Sequence, residues 1–184
     1  MACTQLLTGI TRDCLPSKGG IRKVWVANVA DIDSISFLGT VIDGITMKTG
    51  KTFKVYDFAR NTASLSSNYQ VSAENGTRYV QSDLVLVFNR MDTNKRKEIL
   101  ALLGAELVIF VEDNNGEKWS LGVERKSAGG FSYIGDFSRP VVGADSDADG
   151  LTGTAYGDRN GYSITFHWAS PDMPYNCLAT PPTS

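Results

Sequence analysis

Residues 92–122 read DTNKRKEILALLGAELVIFVEDNNGEKWSLG, and the hydrophobic period changes inside them. In the first half Ile99, Leu100 and Leu103 share one stripe while Asn94, Lys95 and Glu98 face away, the spacing of an amphipathic helix. Asp92 or Thr93 can accept the free N–H groups at its start, and Gly104 can take the left-handed position that ends it. A helix is therefore predicted over about residues 93–103. From Glu106 the chain becomes β-branched and aromatic (LVIFV), passes through Asn115-Gly116 and resumes with KWSLG. An Asn-Gly pair accepts positive φ at both central turn positions, so this second half reads as a β-hairpin.

Outward from this stretch the chain reads as all-β. Asn75-Gly76 and Asn160-Gly161 repeat the hairpin cue. Between the turns lie strand candidates at 23–30, 41–46, 52–57, 64–71, 79–90, 106–112, 117–123 and 162–168. Short strands at hairpin spacing around one helix predict a mainly β fold, an antiparallel β-sandwich or barrel with one flanking α-helix. The organisation expected is a flexible N-terminal arm over 1–20, one β-sandwich domain over 21–176, and a C-terminal tail over 177–184. Both ends are rich in chain breakers (CLPSKGG, CLATPPTS) and poor in periodicity.

Composition narrows the function classes. The 184 residues are 42% hydrophobic with a formal charge of −2, which is globular and lacks the basic excess of a tight nucleic-acid binder. No run of about 18 apolar residues occurs, so no membrane-spanning helix is expected. The start, MACTQLLTGITRDC, has no basic region followed by a long apolar stretch, so no signal peptide is expected. Three cysteines, Cys3, Cys14 and Cys177, are an odd number that fits free thiols better than a disulfide framework.

Chemistry-bearing signals are few. His167 is the sole histidine, placed in a strand between Phe166 and Trp168, and no nucleophile signature surrounds any Ser or Cys. No phosphate loop, dinucleotide fingerprint or HExxH motif is present, so no enzyme and no cofactor are expected. Asp145-Ser-Asp147-Ala-Asp149-Gly150 matches the first half of a calcium loop. The position that should supply a bidentate Glu is Tyr156, and Asp158 comes two residues too late. Asp145, Asp147 and Asp149 therefore remain a calcium candidate with half a motif.

Three patterns point toward assembly. Leu84–Phe88 (LVLVF) and Leu107–Val111 (LVIFV) are apolar on both faces, where a small antiparallel domain normally leaves one face wet; a neighbouring subunit is the expected second cover. Lys95, Arg96 and Lys97 crowd the first turns of the helix, where the macrodipole is already positive, so an acidic neighbour is expected to face them. Finally, one face of 63–72 is polar but uncharged: Ser64, Ser66, Asn68, Gln70 and Ser72.

The succession of a long strand ending FNRMDTNKRKEILALL, then ELVIFVEDNNGEKWSLG, an irregular loop and GTAYGDRNGYSITF ending in MPY resembles bacteriophage tail-tube proteins and the ring proteins of virion necks and short tails. It resembles most the structural proteins of phages infecting gut Bacteroidales, the crAss-like group, where the opening MACT…DC…GGI-KVW also has counterparts. The helix-then-EDNNG block and Asp158–Phe166 carry most of this resemblance. It implies a β-sandwich with one flanking helix, subunits closed into six-fold or twelve-fold rings around a DNA channel, and residues 145–150 in a variable loop. It implies further a virion protein assembled in the bacterial cytoplasm, contacting itself and other tail, neck or portal proteins, with no membrane partner and no catalytic residues. Ser64, Ser66, Asn68 and Gln70 are then expected to face the channel, and Lys95, Arg96 and Lys97 an assembly interface. The competing expectation is a carbohydrate-binding β-sandwich module with calcium at Asp145, Asp147 and Asp149.

Overall fold

The structure, a computed structural model, describes residues 16–72, 74–124, 141–142 and 146–183, apart from the side chains of Val141, Val142 and Ser146. Among the described residues eleven strands and one α-helix follow one another as β1 (Ile21–Asn28), β2 (Ile32–Leu38), β3 (Val41–Met47), β4 (Lys54–Asp57), β5 (Ala63–Ser72), β6 (Thr77–Asn89), α1 (Thr93–Leu103), β7 (Glu106–Asp113), β8 (Lys118–Leu121), β9 (Val141–Val142), β10 (Ser146–Leu151) and β11 (Gly161–Ser170). All strand pairs are antiparallel. One sheet has the order β4-β1-β7-β8, with β9 also on β7; a second has the order β10-β11-β6-β5; β2 and β3 form a separate hairpin. The expected antiparallel β-sandwich with one flanking helix is the architecture found.

Alternation decides what lies between the two large sheets. Val24 and Val26 of β1 and Leu107, Ile109 and Val111 of β7 point toward Leu84 and Leu86 of β6 and Ile164, Phe166 and Trp168 of β11, forming one buried cluster. Helix α1 joins the two sheets through the chain and lends Ile99 and Leu102 to this cluster. Its buried stripe differs from the expected one by a rotation: Leu102 is buried, while Leu100 is 55% exposed. Asp92 caps it, accepting from the N–H groups of Asn94 and Lys95 at 2.9 Å each.

The opposite face of the β1/β7 sheet corrects the expectation that a neighbouring subunit covers LVIFV. Trp25, Ala27, Val108 and Phe110 pack instead against Ile32 and Ile35 of β2, Ile42 of β3, Phe53, Val123, Tyr175 and Cys177. The chain supplies its own third layer. Strand β2 lacks a clean period of two because the β2–β3 register shifts between Ile32 and Ser34, which puts the inward residues Ile32 and Ile35 three apart.

The segment expected to be a loose tail over 177–184 belongs to this layer as far as Thr183. Ile42 N–H donates to Asn176 O at 2.9 Å and Leu178 N–H returns to Ile42 O at 2.9 Å. Cys177 N–H donates to Lys118 O, and Phe53 N–H to Pro182 O. Backbone pairing and the alternate inward residues Tyr175 and Cys177 hold it together. Of the expected N-terminal arm, residues 1–15 lie outside the described residues, while Lys18 and Gly19 are tied to the β7–β8 turn through Asn114 and Asn115.

Candidate functional surface

The outward face of the β10-β11-β6-β5 sheet follows from register. Val80, Ser82, Leu84 and Leu86 are buried, so Tyr79, Gln81, Asp83, Val85 and Val87 look outward from β6. Their cross-strand partners on β5 are Gln70, Asn68, Ser66 and Ser64, with Ser66 opposite Asp83 and Ser64 opposite Val85. On β11 the outward set is Ser163, Thr165, His167 and Ala169, and on β10 it is Asp147, Asp149 and Leu151. Ser64, Ser66, Asn68 and Gln70 are thus brought together on one exposed strand face, as their alternation implied.

No Lys or Arg stands at any of these outward positions among the described residues; the charged groups are Asp83, Asp147, Asp149 and His167. His167 joins three strands. Its Nδ1 lies 2.7 Å from Asp83 Oδ1 and its Nε2 3.5 Å from Asp147 Oδ2. The Asp83 hydrogen bond, aided by Asp147, raises the imidazole above its ordinary 6.5, and the same bond lowers the Asp83 carboxyl. A carboxylate thus lies beside each ring nitrogen, an arrangement that favours the charged imidazolium. The sequence places this histidine in a strand but cannot supply its partners, 84 and 20 residues away.

The described part of the half calcium motif is extended strand rather than a curled loop. Residues 146–151 form the edge strand β10, whereas a variable loop was expected there. Asp147 and Asp149 stand side by side on one strand face, while a calcium loop curls alternate ligands inward around the ion. Asp145 lies outside the described residues. Asp158 is committed elsewhere: its Oδ2 accepts from the N–H groups of Thr154 and Ala155, and these bonds hold its carboxyl low. Among the described residues no group of three or more His, Cys, Asp or Glu side chains is placed to hold a metal.

The basic turn of α1 divides in two. Lys95 folds back, donating from Nζ to Asn89 O at 2.5 Å and Arg90 O at 3.2 Å, and pairs with Asp92 at 3.4 Å. It helps close the β6–α1 corner and is not available as a free edge. Arg96 and Lys97 remain exposed. Cys177, the one described cysteine, is buried with its thiol pushed up to about 11 by that burial, so it stays neutral and unreactive.

No protein-family model matches the chain, and neither a curated protein nor a solved structure matches it.

Proposed function

We propose that the chain is a virion structural subunit that assembles with copies of itself into a ring or tube of a phage tail or neck, with the outward face of the β10-β11-β6-β5 sheet toward the DNA. One observation carries this reading: a broad outward sheet face that holds hydroxyls, amides and three carboxylates beside Val85, Val87, Ala169 and Leu151, but no Lys or Arg among the described residues. Each phosphate neutralised by a cation adds salt-dependent affinity. A wall that DNA must slide past therefore does best with polar groups that keep water and with a weak negative potential. The resemblance noted in the sequence supports the same role. Other tail, neck or portal proteins of the particle are its further partners, and no cofactor takes part.

Purified protein at high concentration, with and without a nucleating tail fraction, is the material for the test. Negative-stain microscopy with light scattering should show rings or tubes with a central lumen, and duplex DNA should show no retention on them at about 0.1 M salt. A species that stays monomeric under both conditions would overturn the reading, as would assemblies that bind duplex DNA tightly through the sheet face.

A further inference from the structure

Two surfaces left open by one chain are complementary to each other. On α1, Arg96, Lys97 and Leu100 fall at i, i+1 and i+4 and point outward together, with Leu100 55% exposed. On the edge strand β10, Asp147, Asp149 and Leu151 fall at alternate positions of one exposed face, with Leu151 also 55% exposed. Among the described residues neither Arg96 nor Lys97 pairs with either of these aspartates within the chain. One patch is two cations and a leucine; the other is two carboxylates and a leucine. The spacings agree. Lys97 and Leu100, or Arg96 and Leu100, lie about 5–6 Å apart on the helix surface, and Asp149 and Leu151 about 7 Å apart along the strand.

We infer that the Arg96–Lys97–Leu100 face of one copy docks on the Asp147–Asp149–Leu151 face of the next, so that the occupant of each patch is a second copy of this chain. The inference rests on the self-assembly proposed above and names the contact that would carry it. Because the two patches differ, the contact is heterologous, the kind that repeats head to tail and closes a ring when its rotation allows. Lys95 is excluded, since Asp92 and the carbonyls of Asn89 and Arg90 already hold it. Leu100 against Leu151 gives the contact a dry centre, and the two charge pairs fix its register. Placing Asp147 and Asp149 at this joint puts the β10 margin of the polar face at the seam between copies, leaving β5 and β6 in the open.

The test uses full-length chains. One variant carries Arg96→Glu and Lys97→Glu, the other Asp149→Lys alone, which leaves the His167–Asp147 contact in place. Circular dichroism and melting temperature confirm that each folds. The concentration needed for assembly should rise roughly tenfold or more for either variant alone at low salt, since like charges would now face each other. Mixing the two should restore assembly. In an alternating order the glutamates introduced in the first variant meet the lysine introduced in the second, and the second variant's Arg96 and Lys97 meet the first variant's Asp149. For the parent, assembly should weaken as salt rises from about 0.05 to about 0.5 M. A parent that assembles while both variants assemble equally well would sink this contact and leave the assembly reading standing. A parent that forms no assembly would sink the assembly reading itself. If a variant fails to fold, Arg96→Gln with Lys97→Gln takes its place, and unchanged assembly in that variant also overturns the inference.

Discussion

Strands β7 and β5 lie in opposite layers and have opposite relations to water. On β7, Leu107, Val108, Ile109, Phe110 and Val111 are all at most 3% exposed. The odd members face the second sheet, and the even members face the β2–β3 hairpin and the C-terminal segment. On β5 only Ala63 is buried, and toward the β5–β6 turn even the inward residues emerge, Tyr69 at 52% and Val71 at 66% exposure. On β7 the apolar run is therefore covered within the chain on both faces, whereas on β6 Val85 and Val87 of the Leu84–Phe88 run stay half-buried on the outward face. A polar face without charges is what the fold leaves open. The surface free to meet other molecules is the one the core does not need.

The largest effect is expected where the third layer covers the back of β7. Deleting residues 175–184 takes away Tyr175 and Cys177, the backbone pairing to Ile42 and Lys118, and the cover over Phe110. Losing one large buried aromatic alone costs about 3–5 kcal/mol, so the truncated chain should lose at least that much in urea unfolding. A loss below about 1 kcal/mol would show that the back of β7 needs no cover from this segment.

The helix and the long strands were legible because each carries a period of its own. Residues 93–103 were bounded correctly, with Asp92 as the cap, but Gly104 ends the helix at φ −97° and ψ 4° rather than in the left-handed conformation expected of it. Besides the two-residue β9, three elements escaped for distinct reasons. Strand β2 hides its alternation behind a register shift. Strand β10 is written SDADGL, in residues depleted from strands, and it forms because β11 offers a long edge to pair with. The C-terminal segment is held by main-chain bonds and by Tyr175 and Cys177 at alternate positions, a period too short and too mixed with prolines to stand out in the sequence. Asn160-Gly161 was legible but for a different cause: a Cβ at Gly161 would sit 2.1 Å from Phe88 O, so glycine serves close strand approach there rather than a hairpin tip. Of the candidate site, the β5 face could be read from alternation. The His167–Asp83–Asp147 link joins three strands far apart in sequence and could not.

A smaller effect is expected at the corner that leads from the open sheet into α1. Asp92→Ala removes the cap on Asn94 and Lys95 and the ion pair to Lys95. Thermal or urea unfolding should register a modest loss of stability, smaller than that of the C-terminal truncation. Lys95→Glu should also destabilise, because Lys95 Nζ bonds the carbonyls of Asn89 and Arg90. Arg96→Glu and Lys97→Glu should be neutral or slightly stabilising toward the positive end of the helix, by about 0.3–1 kcal/mol at low salt. Equal responses at all three positions would remove the distinction between the folded-back lysine and its two exposed neighbours.

His167 gives the open sheet face a pH dependence that the buried β7 region lacks. Its folded pKa lies above 6.5, so the stability it contributes is fully present below about 6.5 and is lost as pH rises through the folded value. Asp83 is lowered from 3.8, so its contribution is present above about 3.8 and is lost as pH falls through its folded value. Melting temperature should therefore show a local gain between these limits that His167→Gln abolishes. Asp147→Asn should reduce it less than Asp83→Asn, since the Asp147 contact is longer and more exposed. A variant whose pH profile parallels the parent's across the whole range would show that the pair contributes nothing to stability.

The smallest effect on stability is expected on β5, where the effect on DNA should be the sharpest. Ser64, Ser66, Asn68 and Gln70 are exposed, and among these four Gln70 accepts a side-chain bond on this face, from Tyr79 Oη at 2.8 Å. Replacing Ser64, Ser66 and Asn68 by Lys should change unfolding free energy within about ±0.5 kcal/mol per site, because no core contact is lost. The same change places three cations where the parent has none, opposite Val85, Asp83 and Gln81. Duplex DNA should then be retained, with log affinity falling against log salt at a slope that steepens by roughly 0.9 for each phosphate newly neutralised. Asp83 offsets part of the charge at position 66, so Ser64→Lys and Asn68→Lys should account for most of the gain. If the triple variant unfolds near the parent's midpoint yet holds DNA no better, the absence of cations on this face is not what keeps it from binding.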